Sequence, residues 1–302
     1  MPNNFLSKIL RLVKDPIFSF KRKFVNTFPD ISPDKWFLQV KFYKCMGYKL
    51  DLKHPKTFNE KLQWLKLYDR NPLYTTLVDK NRVKQYVANL IGQEYVIPTL
   101  AVYKSVDEID LDRLPDQFVL KCNHDSGSIV ICHDKSNFDL ASAKKKLNKA
   151  LNYNYYLDSR EWPYKKIQRC IIAEEYITDN RKSAIRDYKF FCFGGKPLYC
   201  QVIDGRDSQM TINFYDMNWQ LQPFVEPIGY ANSKEEIAKP IHFEEMVEKA
   251  EALAEGKKFV RVDFYESNSF VKFGEITFFP TGGYGIFDPP IWANIFGERV
   301  LL

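Results

Sequence analysis

After residue 50, apolar residues recur every three or four positions in four segments, which predicts four amphipathic helices. The spacing is clearest over 57–69, where Phe58, Leu62 and Leu65 follow one another at helical intervals. This segment opens with Thr57-Phe58-Asn59-Glu60, the sequence of a capping box, so the helix should begin just after Thr57. The other three predicted helices cover 80–91, 140–151 and 243–255.

Between these helices the period of the apolar positions falls to two, which predicts β-strands. Short turns at Gly194-Gly195-Lys196 and Ser267-Asn268-Ser269 should join neighbouring strands into antiparallel hairpins. A helical N-terminal third followed by mostly antiparallel sheet is an α+β fold. The predicted strands are 117–122, 129–132, 170–177, 187–193, 197–203, 211–215, 258–265 and 270–279.

The positive charge of the chain is concentrated at its N-terminus. Residues 1–24 contain six basic residues and one acid, a net charge of +5 against +6 for all 302 residues. Apolar residues at helical spacing over 5–14, interleaved with lysine and arginine and ended by Pro16, predict a short basic amphipathic helix. This helix either lies on an anionic membrane surface or packs on its own domain with a solvated basic face. The rest of the chain is nearly neutral, which argues against a nucleic-acid partner.

The sequence carries no signal for membrane insertion or secretion. No apolar run reaches the roughly 18 residues of a membrane span, and the N-terminus lacks the apolar core of a signal peptide. The six cysteines form no C-x-x-C pair, and several lie in apolar strands, as buried thiols do in a reducing compartment. We therefore expect a cytoplasmic protein, either free or at the inner face of the cell membrane.

The last predicted hairpin brings acids and a cation to one face. Arg261 and Asp263 are two residues apart in one strand, and Glu275 and Thr277 are two apart in the other. A three-residue turn would pair Asp263 with Phe273 and leave Glu275 diagonally opposite, with Cβ atoms roughly 7 Å apart. Two carboxylates so placed can bind Mg²⁺ beside the Arg261 cation, although an exposed face with a surface salt bridge fits the same spacing.

Two loops of small residues have the composition of anion-binding segments. Pro280-Thr281-Gly282-Gly283-Tyr284-Gly285 follows the last strand, and its backbone N–H groups can approach an anion, which favours the metal-site interpretation of the hairpin. Residues 122–128 follow a strand that carries Lys121, and their small polar tip either folds over phosphates or forms an ordinary hairpin turn. This second loop lacks G-x-x-x-x-G-K-[ST] and so is no Walker A motif.

Two strands carry further charged residues in apolar surroundings. Glu174 and Glu175 interrupt an apolar strand, as in a hinge that offers polar groups and backbone to a flat ring. Asp187 and Lys189 share one face of the next strand. Either pair, taken alone, also fits a solvated strand face.

The order of these four pieces resembles that of the ATP-grasp superfamily. The matching text is FVLKCNHDSGS, IIAEEYI, RDYKFFCFGGKP and RVDFYESNSFVKFGEITFFPTGG. The N-terminal text from HPKTFNEKLQWLKL to YVIP is similar to the TupA-like branch, named for teichuronopeptide synthesis. The resemblance covers about residues 45–300. It implies an α+β ATP-grasp fold, in which two mostly antiparallel lobes over 96–178 and 179–302 clasp ATP behind a helical region over 1–95.

The resemblance also implies a role for each candidate residue, by motif position. Lys80 and Lys121 would reach the phosphates of ATP, and Arg261 would steady the transferred phosphoryl group. The implied phosphate loop is Ser126, Gly127 and Ser128, and the implied adenine hinge is Glu174, Glu175, Tyr176 and Ile177. Asp187, with Lys189, would lie on the ribose side. The implied Mg²⁺ ligands are Asp263, Glu275 and Thr277. The sequence departs from the family pattern at Thr277, where asparagine is usual, and in a phosphate loop with a single glycine.

The activity that the resemblance implies is an ATP-dependent carboxylate–amine ligase, which forms an acyl phosphate and uses one or two Mg²⁺ ions. Members of this branch are associated with bacterial capsule, cell-wall and O-antigen polysaccharide clusters. The expected partners are therefore a carboxylate-bearing sugar or glycan and an amino acid or amine. A kinase on the same fold would use the same residues. A glycosyltransferase would need an acidic metal motif, and Asp110-Leu111-Asp112 has that form but also that of a solvated turn.

Overall fold

The computed structural model describes residues 15–178, 185–206, 209–226, 230–233, 236–267 and 270–302. These ranges contain nine α-helices and nine β-strands. The helices are α1 Pro16–Thr27, α2 Asp34–Met46, α3 Phe58–Tyr68, α4 Leu73–Val78, α5 Val83–Ile91, α6 Leu140–Asn152, α7 Tyr155–Ser159, α8 Phe243–Ala254 and α9 Ile291–Arg299. The strands are β1 Thr99–Tyr103, β2 Phe118–Cys122, β3 Val130–Cys132, β4 Ile171–Glu175, β5 Asp187–Phe193, β6 Lys196–Asp204, β7 Thr211–Asp216, β8 Phe259–Ser267 and β9 Phe270–Thr277.

The strands form two antiparallel sheets. One has four strands in the order β1-β4-β2-β3, and the other has five in the order β7-β6-β5-β8-β9. Every pair of neighbouring strands is antiparallel. The predicted α+β class is therefore confirmed, and the β8–β9 hairpin forms one edge of the five-stranded sheet.

The eight predicted strands and four predicted helices are all present, with small shifts at their ends. Strand β1 was not predicted because Tyr103 is its only buried residue, so its sequence shows no alternation. Helices α4 and α7 are too short to show a period. The capping box at Thr57 is confirmed, since the Thr57 hydroxyl accepts from Glu60 N and the Glu60 carboxylate accepts from Thr57 N.

Pro16 begins a helix that was not predicted, and Asp15 before it is extended. Proline suits the first turn of α1 because its missing N–H would have no partner there. Asp15 caps the helix by accepting from Phe18 N at 2.9 Å. The predicted helix over 5–14 lies outside the described residues. None of the helices in the described ranges is both long and apolar enough to cross a bilayer.

The larger core surrounds the five-stranded sheet and includes residues of α3, α8 and α9. Aromatic rings fill much of it: the Phe58 ring centroid lies 4.9 Å from that of Phe259 and 5.6 Å from that of Phe296. A smaller core lies between the four-stranded sheet and α6, where Phe118 and Leu147 are fully buried. Each sheet thus packs on its own hydrophobic core.

Helix α3 buries polar as well as apolar residues, whereas its sequence predicted one buried face. Its polar residues bond the glycine-rich segment after β9, where Asn59, Gln63 and Lys66 donate to the carbonyls of Gly285, Gly283 and Gly282. The Lys66 ammonium also donates to the Ser159 carbonyl at 3.0 Å. These bonds to backbone oxygens offset part of the cost of burying a polar helix face, although Asn59 Oδ1 and Gln63 Oε1 have no partner in the described part of the chain.

Helix α9 crosses the start of α3 at Gly297. A Cβ atom at Gly297 would lie 2.0 Å from the Lys56 carbonyl oxygen, which belongs to the backbone and cannot rotate away. Glycine in a helix normally costs stability relative to alanine. At this position the close approach of two backbones requires it.

Gly297→Ala should therefore lower the free energy of unfolding by about 1–3 kcal/mol, because the clash outweighs the gain in helix propensity. Urea denaturation would measure it. Asn294→Ala, at an exposed position of the same helix, is the control and should change stability by less than about 0.5 kcal/mol. An unchanged or more stable Gly297→Ala variant would contradict this packing.

Candidate active site

The four polar residues predicted to share a face meet on the β8–β9 hairpin. Arg261 lies between the two acids: its Nε donates to Asp263 Oδ1 at 2.7 Å, and its Nη2 donates to Asp263 Oδ2 and Glu275 Oε1 at 2.8 Å each. The Thr277 hydroxyl donates to Glu275 Oε1 at 3.1 Å. A single guanidinium thus holds both carboxylates.

Asp263 pairs directly with Glu275, not with Phe273 as the sequence analysis predicted. The first reason is the turn. Strand β8 continues to Ser267, which pairs with Phe270, so the connection is shorter than the predicted three residues. This change alone moves the strand register by one residue.

A β-bulge at Gly274 is the second reason. Without it, the register set at the turn would pair Glu275 with Val262 and put the two acids on opposite faces of the sheet. The bulge adds one residue to β9 and returns Glu275 to the face of Asp263. A Cβ at Gly274 would lie 3.1 Å from the Tyr265 ring and 3.2 Å from the Asp263 carbonyl oxygen, which explains the glycine.

Strand β5, beside β8, adds a second cation. Lys189 is the cross-strand partner of Asp263, and its ammonium contacts Asp263 Oδ2. The same ammonium lies 3.8 Å from Asp187 Oδ1, and Arg206 contacts the other oxygen of that carboxylate. The predicted ribose acid, Asp187, is therefore buried and bound by two cations.

Burial and neighbouring charge act differently on the two paired acids. Burial raises the pKa of Asp263 above its ordinary value, against the opposing effect of Arg261 and Lys189. Burial also acts to raise the pKa of Glu275, but Lys80 and Arg261 outweigh it and hold that pKa well below the ordinary range. The Asp263 side chain is 4% exposed and that of Glu275 is 31% exposed. Glu275 is thus an ionised carboxylate that a ligand can reach.

Lys80 connects this cluster to the four-stranded sheet. Its ammonium lies 3.6 Å from Glu275 Oε2 and donates to the Asp125 carbonyl at 2.6 Å. Its backbone N–H donates to the Asn123 carbonyl at 3.0 Å. The predicted phosphate lysine therefore joins the predicted phosphate loop to the predicted metal ligands.

The loop over 123–128 has a fixed base and an open tip. The Ser128 hydroxyl donates to Asp125 Oδ1 at 2.6 Å and accepts from Cys122 N at 2.8 Å, so it stabilises the loop internally. Ser126 and Gly127 are exposed, and no atom lies within 4 Å of a Cβ built at Gly127. Of the three predicted loop residues, these two are free to meet a ligand.

The predicted hinge residues lie on β4 and just after it. Glu174 is buried, and its carboxylate binds Lys121 at 2.5 Å and Lys84 at 2.7 Å. Glu175 is exposed and donates its backbone N–H to the Pro98 carbonyl at 3.1 Å. Tyr176 and Ile177 are half-buried.

A family model described as TupA-like ATPgrasp matches residues 60–301. The chain belongs to the TupA-like ATP-grasp family. No curated protein matches the TupA-like chain.

Solved structures similar to the TupA-like chain are ATP-grasp proteins of low sequence identity. A D-alanine–D-alanine ligase from Bacillus anthracis complexed with ATP is 17% identical, with a TM-score of 0.39, over 67% of this chain and 53% of that one. The ligase from Helicobacter pylori is 13% identical, with a TM-score of 0.43, over 81% and 69%. A RimK domain protein from Sphaerobacter thermophilus is 11% identical, with a TM-score of 0.42, over 88% and 94%. The TupA-like chain thus spans about half the length of the Bacillus ligase.

The donor set of the TupA-like hairpin suits Mg²⁺. Asp263 and Glu275 supply carboxylate oxygens, and Thr277 supplies a hydroxyl oxygen. Mg²⁺ is commonly held by one or two carboxylates together with substrate phosphates. In the described part of the chain no three His, Cys, Asp or Glu side chains form a metal cluster, so such an ion would depend on the ligand for its remaining partners.

Three charged residues of the TupA-like site were missed by the sequence analysis: Lys84, Arg206 and Glu226. Lys84 follows Lys80 by four residues, and that spacing was the one signal available. Glu226 is buried and accepts from the Thr281 hydroxyl at 2.7 Å, and burial raises its pKa. Neither Arg206 nor Glu226 lies in a periodic segment, so only the fold could bring them to the site.

Glu174→Gln should lower the free energy of unfolding at pH 7 by about 3 kcal/mol, because two largely buried lysines would lose their counterion. Burial raises the pKa of Glu174, but Lys121 and Lys84 outweigh it, so the folded-state pKa lies below the ordinary 4.5. Its stabilisation is therefore present above pH 4.5 and lost as the pH falls through the folded-state pKa.

Urea denaturation at a series of pH values would measure this effect. Glu175→Gln, an exposed neighbour, is the control and should be nearly neutral. If the difference in unfolding free energy between the wild type and Glu174→Gln stayed constant down to low pH, the proposed charge balance would be contradicted.

Proposed function

We propose that this chain is an ATP-dependent carboxylate–amine ligase. The observation that carries the proposal is the cluster on β8–β9, where Asp263 and Glu275 lie side by side among Arg261, Lys189 and Lys80. Alternating fixed charges of this kind can position and neutralise phosphates.

In the proposed reaction a substrate carboxylate oxygen attacks the γ-phosphorus of ATP. The bond from that phosphorus to the β,γ-bridging oxygen breaks, which yields an acyl phosphate and ADP. An amine then attacks the acyl carbon, the C–O bond to phosphate breaks, and the products are an amide, inorganic phosphate and a proton. The chain itself forms no covalent bond, so its contribution is positioning and charge.

Each predicted residue has a place in this proposal, in which Asp187, with Lys189 beside it, would bind the ribose. Lys80 and Lys121 would bind the phosphates, and Arg261 would stay near the transferred group because Asp263 and Glu275 hold it. Asp263, Glu275 and Thr277 would hold Mg²⁺, which when bound neutralises charge on the phosphoryl oxygens. Ser126 and Gly127 would cover the phosphates, with Ser128 keeping the loop in shape. Glu174 to Ile177 would contact adenine.

We further propose that the carboxylate belongs to a sugar or glycan, such as a uronic acid, and that the amine is an amino acid or related compound. The support is the association of this branch of the family with polysaccharide clusters. The proposed role is in bacterial capsule, cell-wall or O-antigen synthesis, on the cytoplasmic side of the cell membrane.

The glycosyltransferase alternative depends on Asp110 and Asp112. The Asp110 carboxylate accepts from Asp112 N at 3.0 Å and lies 3.2 Å from Arg113 Nε, so both of these contacts are with residues of its own turn. A kinase would use the same ATP site as a ligase. Only the need for an amine separates the two reactions.

The test is turnover of ATP by the purified chain with Mg²⁺, glucuronic acid and a mixture of amino acids. Release of ADP and phosphate should require both the carboxylate and an amine. Phosphorylated sugar as the end product would indicate a kinase. Release of AMP, or of UDP from a UDP-sugar, would contradict the ligase. EDTA should abolish turnover, and added Mg²⁺ should restore it.

Glu275→Gln should lower kcat for ATP turnover by about 100-fold or more, because it removes the one carboxylate of the pair that is accessible to a ligand. Circular dichroism and thermal unfolding would confirm that the variant folds. Glu298→Gln, an exposed acid on α9, is the matched control. If Glu275→Gln turned over ATP at the wild-type rate, the assignment of Glu275 as a Mg²⁺ ligand would be contradicted.

A further inference from the structure

Helix α1 and the turn that follows it expose a row of large apolar residues. Ile17 is 68% exposed and Ile31 is 75% exposed, and Phe20 and Phe28 are also open to solvent. Single exposed apolar residues are ordinary on protein surfaces, whereas a contiguous group marks an interaction site. Four within fifteen residues make such a group.

The exposed residues of α1 and its C-cap lie on one side of the helix. Ile17, Phe20 and Phe28 are spaced three and eight residues apart, which keeps them on one helix face. Phe18 and Val25 are buried against Val40 of α2, and the exposed Phe20 touches α2 through the edge-on contact of its ring with Trp36.

Half-buried aromatic rings lie next to the exposed residues. The Phe24 ring centroid lies 5.5 Å from that of Phe28 and 5.8 Å from that of Trp36, and the Phe20 centroid lies 6.0 Å from that of Trp36. Phenylalanine and tryptophan side chains at the surface of a short helix are typical of segments that sit in the interface of a bilayer.

Positive charge lies beside this face. Arg22 and Lys23 are exposed, whereas the half-buried Lys21 donates to Gln39 Oε1 at 3.0 Å, and Pro16–Thr27 contains no acid. The nearest acids lie at the two ends: Asp15 is paired with Lys49 at 2.7 Å, and Asp30 lies in the turn. Each basic residue near an anionic membrane surface strengthens binding.

We propose that α1 and the turn to Ile31 bind the surface of an anionic lipid membrane. The apolar row would enter the interface, and the exposed Arg22 and Lys23 would contact the headgroups. A second copy of the chain fits less well, because a two-fold contact would bring these cations against themselves. The inference goes beyond the proposed ligase reaction, and it can be tested without ATP.

The experiment is sedimentation of the full chain with vesicles of phosphatidylcholine alone or mixed equally with phosphatidylglycerol. The wild type should bind the mixed vesicles and bind pure phosphatidylcholine far less. The double substitution Phe20→Ser with Ile31→Ser should weaken binding by about tenfold or more, because two large apolar side chains no longer enter the interface. Replacing Lys21, Arg22 and Lys23 by glutamine should abolish the preference for phosphatidylglycerol.

The matched control is Ile241→Ser with Leu221→Ser, which removes two comparably exposed apolar residues from other elements. Its vesicle binding should equal that of the wild type. The proposal is overturned if the wild type binds neither vesicle, or if control and test variants lose binding equally. It is also overturned if the wild type is a dimer by analytical ultracentrifugation and Phe20→Ser with Ile31→Ser makes it monomeric, because the apolar face then binds a second copy.

Discussion

The site depends on the balance of charge around two carboxylates that the sheet forces together. Asp263 and Glu275 are direct cross-strand partners, and like charges in this position repel unless cations lie close by. The cations come from three elements: Arg261 on β8, Lys189 on β5 and Lys80 just before α5. Because no single element supplies the balance, the cluster is complete only when the five-stranded sheet and the segment before α5 are assembled.

The same principle extends to the four-stranded sheet. Glu174 on β4 binds Lys121 of β2 and Lys84 of α5, so α5 together with the segment before it is bound electrostatically to both sheets. Lys80 bonds the 123–128 loop and faces Glu275, which puts the loop beside the acids. In this member of the TupA-like ATP-grasp family, the arrangement brings the predicted phosphate-binding groups of both sheets to one junction.

The sequence predicted the pieces of this site better than their register. The period of apolar residues and the order of four motifs were sufficient to predict eight of the nine strands of the described ranges and the charged residues of those motifs. The direct pairing of Asp263 with Glu275 was not predicted, because it depends on a bulge at Gly274, and bulges have no period. Likewise, the buried polar side of α3 depends on glycine carbonyls more than 200 residues away, beyond the reach of a local pattern.

The central claim, that a carboxylate is activated as an acyl phosphate, can be tested most directly by isotope transfer. Glucuronic acid labelled with ¹⁸O in its carboxyl group would be incubated with the chain, ATP, Mg²⁺ and amino acids. Mass spectrometry of the released phosphate should find one ¹⁸O atom, because the carboxylate oxygen that attacks the γ-phosphorus leaves with phosphate. Released phosphate without label, while amide forms, would contradict the account.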